Sequence, residues 1–356
     1  MNSNAPFVSV VTPFYNTEAY LADCIESVLR QTYENWEYVL VNNCSTDGSA
    51  QIAEKYSRAH PDKIRVVHNG SFLSQIANYN HALTTISPQS KYCKMVQADD
   101  LIFPQCLEMM VQVAEQDAAV GVVGSYGLEG RFVCFDGLPY PSPTVSGRDA
   151  CRLFFFKDNY LFGSPTQLML RSEVVRSRSP FYDDRYAPFE DAAVVFDLLQ
   201  TWKFGFAHQV LTFSRRDEPT TMGRLLSFDC PSAFSLFMVR DFGSRYLDAA
   251  EYRDQLRRQE RAYAQVLANG MVGLKGSAFW KFHTPMLKRM GYSWASPRVW
   301  EMLAWAFGDL LFNPKRTMQL FARGLKHRMQ SGMLRHVSPD ASVRVTEELR
   351  PPTSVP

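Results

Sequence analysis

FVSVVTPFYNTEAYLADCIESVLRQTYENWEYVLVNNCSTDGS, residues 7–49, decides how this chain is to be folded. Phe7–Thr12 is a short, valine-rich apolar run, the pattern of a strand buried on both faces. Over Glu18–Gln31 the apolar residues fall instead at Leu21, Cys24, Ile25, Val28 and Leu29, which lie on one face of a helix. Trp36–Val41 returns to the strand pattern. Ser45, Thr46 and Asp47 then offer side-chain oxygens that can cap a helix running to about Arg58. Strand, helix, strand, helix is the repeating unit of a doubly wound α/β sheet.

The same rhythm continues outward to residue 125. Ile64–His68, Cys93–Ala98 and Ala119–Ser125 read as strands, and Ser74–Thr85 and Gln105–Gln116 as helices. The pattern then changes. Arg131–Phe135 and Thr166–Leu170 look like strands, with a Pro/Ser/Gly loop at 139–147 between them. Asp191–Gln200 reads as a helix, followed by strands near Phe204–Ala207 and Val210–Ser214. From about Arg224 only helices are suggested. The fold expected is α/β, a doubly wound, mostly parallel sheet flanked by helices with a helical C-terminal extension. Its parts divide as residues 1–125, a nucleotide-binding half; 126–223, an acceptor-side half; 224–337, a helical region; and 338–356, a polar tail expected to be disordered.

Bulk composition narrows the function classes. With 356 residues and 46% hydrophobic content the chain can bury a large core. A net charge of +2 names no partner for the chain as a whole. The seven cysteines are widely spaced with no CxxC pair, which argues against a disulfide framework or zinc site and fits a reducing cytosol. The N-terminal stretch lacks a basic segment leading into a long apolar run, so no secretory signal is expected. No run of about 18 uncharged apolar residues suggests a membrane span.

Three polar clusters fall at the ends of expected strands, where ligands of doubly wound sheets bind. They are Asn42–Asp47, Asp99–Asp100, and Glu190–Asp191. Adjacent carboxylates beyond a buried strand are costly unless a positive charge compensates them. A divalent cation bridging to a diphosphate is a natural compensator. Taken alone, Asp99–Asp100 reads more readily as the cap of the following helix.

Five ordered blocks carry more weight together: VSVVTPFYN, SVLRQTY, WEYVLVNNCSTDGS, QADD and FEDAAVVFDLL. In this order they resemble glycosyltransferase family 2, over about residues 7–216. The resemblance implies the GT-A fold, a nucleotide-diphosphate sugar as donor, inversion at the anomeric carbon, and Mn²⁺ or Mg²⁺ as cofactor. It places Thr12, Pro13, Tyr15, Asn43 and Asp99 around the donor nucleotide, Asp100 with Asp99 at the metal, and Asp191 as general base. Glu190, Asn80 and Arg215 are supporting candidates. Family habit points to UDP, with GDP and dTDP also compatible. Two positions depart from the pattern: Asn42 stands where many relatives have Asp, and Asp217 where many have His, so that position's work would fall to Asp217, to Arg215 or Arg216, or to nothing.

Elementary chemistry is consistent with those roles. The Asn43 amide can donate and accept, which suits a pyrimidine edge. A metal on the diphosphate neutralises charge as the sugar–phosphate bond breaks. An acceptor hydroxyl must lose its proton during attack, and a carboxylate can take it. The acceptor expected is a saccharide or lipid-linked saccharide, in surface polysaccharide or glycan synthesis. His81 reads as an ordinary histidine, Trp202 as core, and the cysteines as small core residues.

Lys281–Arg335 carries ten Lys or Arg against Glu301 and Asp309, interleaved with residues such as Trp300, Trp305, Leu311, Phe312 and Phe321. Such a stretch suits either helices packed on the catalytic domain or a peripheral contact with an anionic membrane from the cytoplasmic side. No nucleic-acid motif is present. Two other readings are an inactive nucleotide-sugar-binding module and a sugar nucleotidyltransferase. The second requires a Gly-rich phosphate loop after the first strand, where Thr12–Asn16 stands instead.

Overall fold

The computed structural model describes residues 5–157, 160–215 and 228–334. They separate into two compact units, 1–224 with 238–255, and 225–237 with 256–356.

The first unit is built on one mixed sheet. Its first half alternates β1 (Val8–Phe14), α1 (Leu21–Leu29), β2 (Trp36–Asn42), α2 (Ser49–Ala59), β3 (Ile64–His68), α3 (Gln75–Thr84) and β4 (Tyr92–Met95). β1 and most of β2 are buried along their length, as expected of parallel strands covered on both faces. α1 buries Leu21, Cys24, Ile25 and Val28, the stripe read from the sequence, against the core that includes Val8, Val10 and Leu40. α3 is capped by Ser74, whose Oγ accepts from the Ala77 amide at 3.3 Å. α2 differs from expectation. Ser45 and Thr46 turn instead to Asn16, and only Asp47 reaches the helix start, accepting from the Ser49 amide at 3.0 Å.

The second half continues with β5 (Leu101–Ile102), α4 (Cys106–Ala114), β6 (Val120–Glu129), β7 (Phe132–Cys134), β8 (Thr144–Val145), α5 (Gly147–Lys157), β9 (Met169–Arg171), α6 (Ser172–Arg176), α7 (Glu190–Leu198) and β10 (Lys203–Ser214). The sheet order is β3-β2-β1-β4-β9-β6-β10-β5. The first four strands form a continuous parallel block and β6 and β10 a parallel pair; β9, between them, runs antiparallel to both β4 and β6. Three local expectations are corrected. Pro165–Gln167 is a single 3-10 turn, not the start of a strand, because proline fixes the first residue of that turn. The two strands expected at 204–207 and 210–214 are one strand, bulged between Ala207 and Val210. The helix α5 begins inside what reads as loop.

The second unit is helical. The first part of α8 (Cys230–Tyr246) belongs to it, with most of α9 (Ala249–Val272) and all of α10 (Ser277–Arg289), α11 (Pro297–Phe312) and α12 (Pro314–Leu334). α11 buries Val299, Met302, Leu303, Ala306 and Leu310, a 3-4 repeat. His283 is fully buried, bonded at Nδ1 to the Tyr263 hydroxyl (2.9 Å) and at Nε2 to the Phe228 carbonyl (2.7 Å). Among the described residues no helix is long and apolar enough to cross a membrane. Among the described residues no disulfide joins the seven cysteines; five are buried, while Cys44 and Cys134 are half-buried.

Candidate active site

The chain runs outward from β1 through β2 to β3, then returns to place β4 on the other side of β1. Strand order therefore reverses between β1 and β4. The crevice beyond the carboxyl ends of such a pair is where doubly wound sheets bind ligands. The loops leaving β1 and β2 are tied together there. The Asn43 amide donates to Phe14 O (2.9 Å), the Thr46 amide to Asn16 Oδ1 (2.8 Å), the Thr17 amide to Ser49 Oγ (2.8 Å) and the Glu18 amide to Asp47 Oδ2 (3.1 Å). Asn16 sits at φ 50° and Cys44 at φ 59°, left-handed conformations that let both loops turn sharply.

The residues expected around the nucleotide divide into two groups. Tyr15 is exposed and meets Phe72 edge-on at 4.8 Å; Phe72, more exposed still, was not singled out from sequence. Pro13 is buried in β1. Thr12 is fully buried, its hydroxyl 2.8 Å from the Tyr38 hydroxyl, so its side chain is used inside the core. Asn43 is 3% exposed and both ends of its amide are engaged: Nδ2 donates to Leu73 O (2.9 Å), and Oδ1 accepts from the Leu73 amide and Asn69 Nδ2 (2.9 Å each). It therefore pins the 69–73 loop rather than presenting a bare edge. Asn42 does similar work, accepting from the Ser45 amide and meeting His68 Nδ1 at 3.1 Å.

β4 ends at Met95, earlier than the strand expected to Ala98, and Asp99 and Asp100 lie in the turn beyond it. Asp100 is 5% exposed and Asp99 half-buried. Arg215, at the end of β10, holds this turn: its Nε donates to the Asp99 carbonyl (3.1 Å), its Nη2 pairs with Asp23 Oδ2 (2.8 Å), and its guanidinium lies over the Tyr20 ring. Below the turn, Lys94 of β4 is completely buried. Its ammonium donates to the carbonyls of Thr166 and Leu168, and burial pulls its pKa below the usual lysine range, with the Asp100 charge among the groups opposing that shift. Gln97 joins the same framework, donating to the Tyr79 hydroxyl (3.0 Å) and accepting from Ser164 Oγ (2.8 Å). Lys94 and Gln97 lie in or beside the fourth strand, and nothing in the strand's alternation singles them out. Arg216 and Asp217 lie outside the described residues.

Asp191 opens α7. Removal from water raises its pKa to about 7, and the neighbouring Glu190 charge adds to the shift; the Ala192 amide, donating at 2.7 Å, opposes it. It lines a small cavity with Leu83, Cys93, Phe181 and Tyr182. Asn80 of α3 fixes one wall: its Nδ2 donates to Tyr182 O (2.8 Å) and its Oδ1 accepts from the Tyr182 amide (2.7 Å). Asn80 thus holds a backbone 102 residues away by two points. A carboxyl held near neutrality can release and take up a proton at working pH.

Residues 9–176 match the model of Glycosyl transferase family 2. This segment is a family 2 glycosyltransferase domain. The domain is 35% identical over 158 residues to EpsE of Bacillus subtilis (strain 168), named as a glycosyltransferase, covering 42% of this chain and 55% of that protein. It is 32% identical over 140 residues to TuaG of the same organism, whose name places it in teichuronic acid biosynthesis, covering 39% and 52%. The chain thus spans about half the length of these curated relatives. Among solved structures, S. aureus TarS 1-349 in complex with UDP-GlcNAc superposes with a TM-score of 0.56 at 16% identity, over 91% of this chain and 92% of that one. The mannosyltransferase PcManGT from Pyrobaculum calidifontis, in complex with GDP-Man and Mn²⁺, gives 0.51 at 17% identity, over 91% and 86%. At such identities the likeness is one of fold: α/β, with a central sheet flanked by helices, similar to GT-A glycosyltransferases.

Proposed function

We propose that the chain is an inverting, metal-dependent glycosyltransferase that moves a sugar from a UDP-sugar to a saccharide or lipid-linked saccharide in surface polysaccharide synthesis. The observation that carries this reading is the position of Asp99 and Asp100 at the β1/β4 switch point, with the exposed Tyr15–Phe72 pair on the loops leaving β1 and β3. The relatives support its chemistry: UDP-GlcNAc is in complex with TarS, GDP-Man and Mn²⁺ with PcManGT, and TuaG is named for teichuronic acid biosynthesis.

The donor set suits a hard divalent cation. Among the described residues no three His, Cys, Asp or Glu side chains converge. The protein would therefore offer Asp99 and Asp100, leaving other positions to water and phosphate oxygens, as Mg²⁺ prefers. Such an ion, when bound, neutralises the charge that builds on the departing diphosphate. Arg215 positions the Asp99 backbone, and the Tyr15 and Phe72 rings offer faces on which a base can stack. Asp191 accepts the proton of the attacking hydroxyl. With one base and no second carboxylate acting as nucleophile, displacement is single and the anomeric centre inverts. A contact of the second unit with an anionic bilayer forms part of the same proposal.

The test is a panel of nucleotide sugars with Mn²⁺ or Mg²⁺, read by thermal stabilisation and by release of the nucleoside diphosphate. A UDP-sugar should stabilise the protein only with metal, and Asp100→Ala should remove turnover while leaving the fold intact. Turnover unchanged by EDTA, or by Asp100→Ala, rules out the metal role.

A further inference from the structure

On the far side of the Asp191 cavity wall lies a second concavity of about 570 Å³, within the size range of small-molecule sites. Its charged lining is Arg176 and Arg178, with His81, Asn80, Thr84 and Ser179 completing the polar part. Its apolar lining includes Leu83, Ile86 and Phe181. Among the described residues that line it, none is acidic. The hydrogen-bond partners of Arg176 are neutral, the Ser87 carbonyl (2.7 Å) and the Ser90 carbonyl and hydroxyl (3.1 and 3.0 Å), so its charge is held in place without a balancing carboxylate. Arg178 pairs with Asp197, but Arg245 pairs with the same carboxylate, and two guanidinium charges meet one anion. The groove therefore carries fixed positive charge beside an apolar wall.

Leu83 and Phe181 line both this groove and the cavity under Asp191, and Asn80, on the groove's edge, clamps Tyr182 on the other side. Leu83 and Phe181, both buried, form the wall that the groove shares with the cavity under the carboxyl read as the base. Guanidinium groups fix phosphate or carboxylate oxygens in two-point geometry, and an apolar wall suits the C–H face of a pyranose.

We propose that this groove is a binding site for an anionic saccharide, the phosphate- or carboxylate-bearing part of the acceptor chain. The acceptor assignment rests on the glycosyltransferase reading above. The charge and shape of the groove stand independently of it.

The experiment titrates the full chain by calorimetry with glucose 1-phosphate, glucuronate, glucose and inorganic phosphate, and in parallel with UDP plus Mn²⁺. Either anionic sugar should bind about tenfold more tightly than both glucose and inorganic phosphate. Thr84→Glu places a negative charge on the exposed groove rim without removing a packed side chain, and should weaken the anionic sugars by about tenfold while leaving UDP unchanged. Arg176→Gln should act in the same direction and serves as a second variant. Equal affinity for glucose and its phosphate overturns the proposal, as does inorganic phosphate binding as tightly as the sugar phosphate. Insensitivity to Thr84→Glu with UDP binding intact overturns the groove and spares the donor reading. Anionic sugars that bind and respond to the variants, with no nucleotide binding, remove instead the acceptor assignment and the glycosyltransferase reading.

Discussion

At the scale of single residues, Asp191 carries the sharpest consequence. Its ordinary pKa of 3.8 is raised to about 7 in the fold, first by burial and then by Glu190. The folded protein therefore holds a proton that the unfolded chain releases between pH about 4 and 7. Its contribution to stability is fully present below the unfolded value and lost as pH rises through the folded one. Asp191→Asn, which cannot ionise, should melt above wild type at pH 8, and that advantage should vanish below about pH 4. Transfer should fall roughly a hundredfold, and wild-type rate should climb to a plateau above about pH 7. Melting temperatures across pH and a pH–rate profile check this; a flat rate between pH 5 and 8 removes Asp191 as the base. The location of Asp191, opening a helix after a proline loop, was legible in the sequence. Its shifted acidity was not, because Tyr182, Phe181 and Leu83 come from segments far apart in the chain. Thr12 and Asn43 teach the reverse. Their residue types suited a nucleotide, yet their side chains are engaged by Tyr38, Asn69 and Leu73, partners that no local pattern reveals.

At the scale of elements, the alternation through β1 to β4 was legible because parallel strands buried on both faces and amphipathic helices leave distinct periods. Past residue 125 that legibility declines. β9 has three residues, and its antiparallel insertion between β4 and β6 depends on Lys94 and Arg171 bonding across the sheet. α5 was missed because it opens at Gly147, the end of a Pro/Ser/Gly stretch that reads as a loop. The glycine is there for space: a Cβ at that position would lie 2.1 Å from Leu199 O and 2.3 Å from Trp202 O. Both are backbone atoms in the turn between α7 and β10 and cannot swing away. Gly147→Ala should therefore cost about 3 kcal/mol, the upper end for overpacking. Urea unfolding would check it. A change below about 0.5 kcal/mol, the ordinary range of a surface substitution, would show that this turn yields.

At the scale of the whole molecule, the basic helices divide their aromatic residues in a way the sequence left open. The apolar stripe of α11 is buried, as packing requires, but Trp300, Trp305, Leu311 and Phe312 lie outside it and are exposed, the last at 89%. Met318, Phe321 and Leu325 on α12 are exposed too, as are Lys315, Arg316 and Arg323. Arg316 pairs with Asp309. The side chains of Lys326 and Arg328, the residue Arg335 and the tail at 338–356 lie outside the described residues. Exposed aromatic and aliphatic groups beside unpaired cations are the composition of a surface that lies on an anionic bilayer. Each Lys or Arg near such a surface adds about 1 kcal/mol, and the apolar groups add area once in contact. In the proposed membrane contact, attraction by charge would weaken with salt as the Debye length shortens, whereas inserted apolar groups would resist salt. Co-sedimentation should therefore show binding to phosphatidylserine-containing vesicles and not to pure phosphatidylcholine, reduced but not abolished at high salt. Replacing Leu311 and Phe312 together with serine should remove the salt-resistant part, and neutralising Lys315 and Arg323 should remove the preference for anionic lipid. Equal binding to both vesicle types, or none to either, would leave this face to another partner, since a lipid-linked acceptor requires the enzyme to be at the lipid surface.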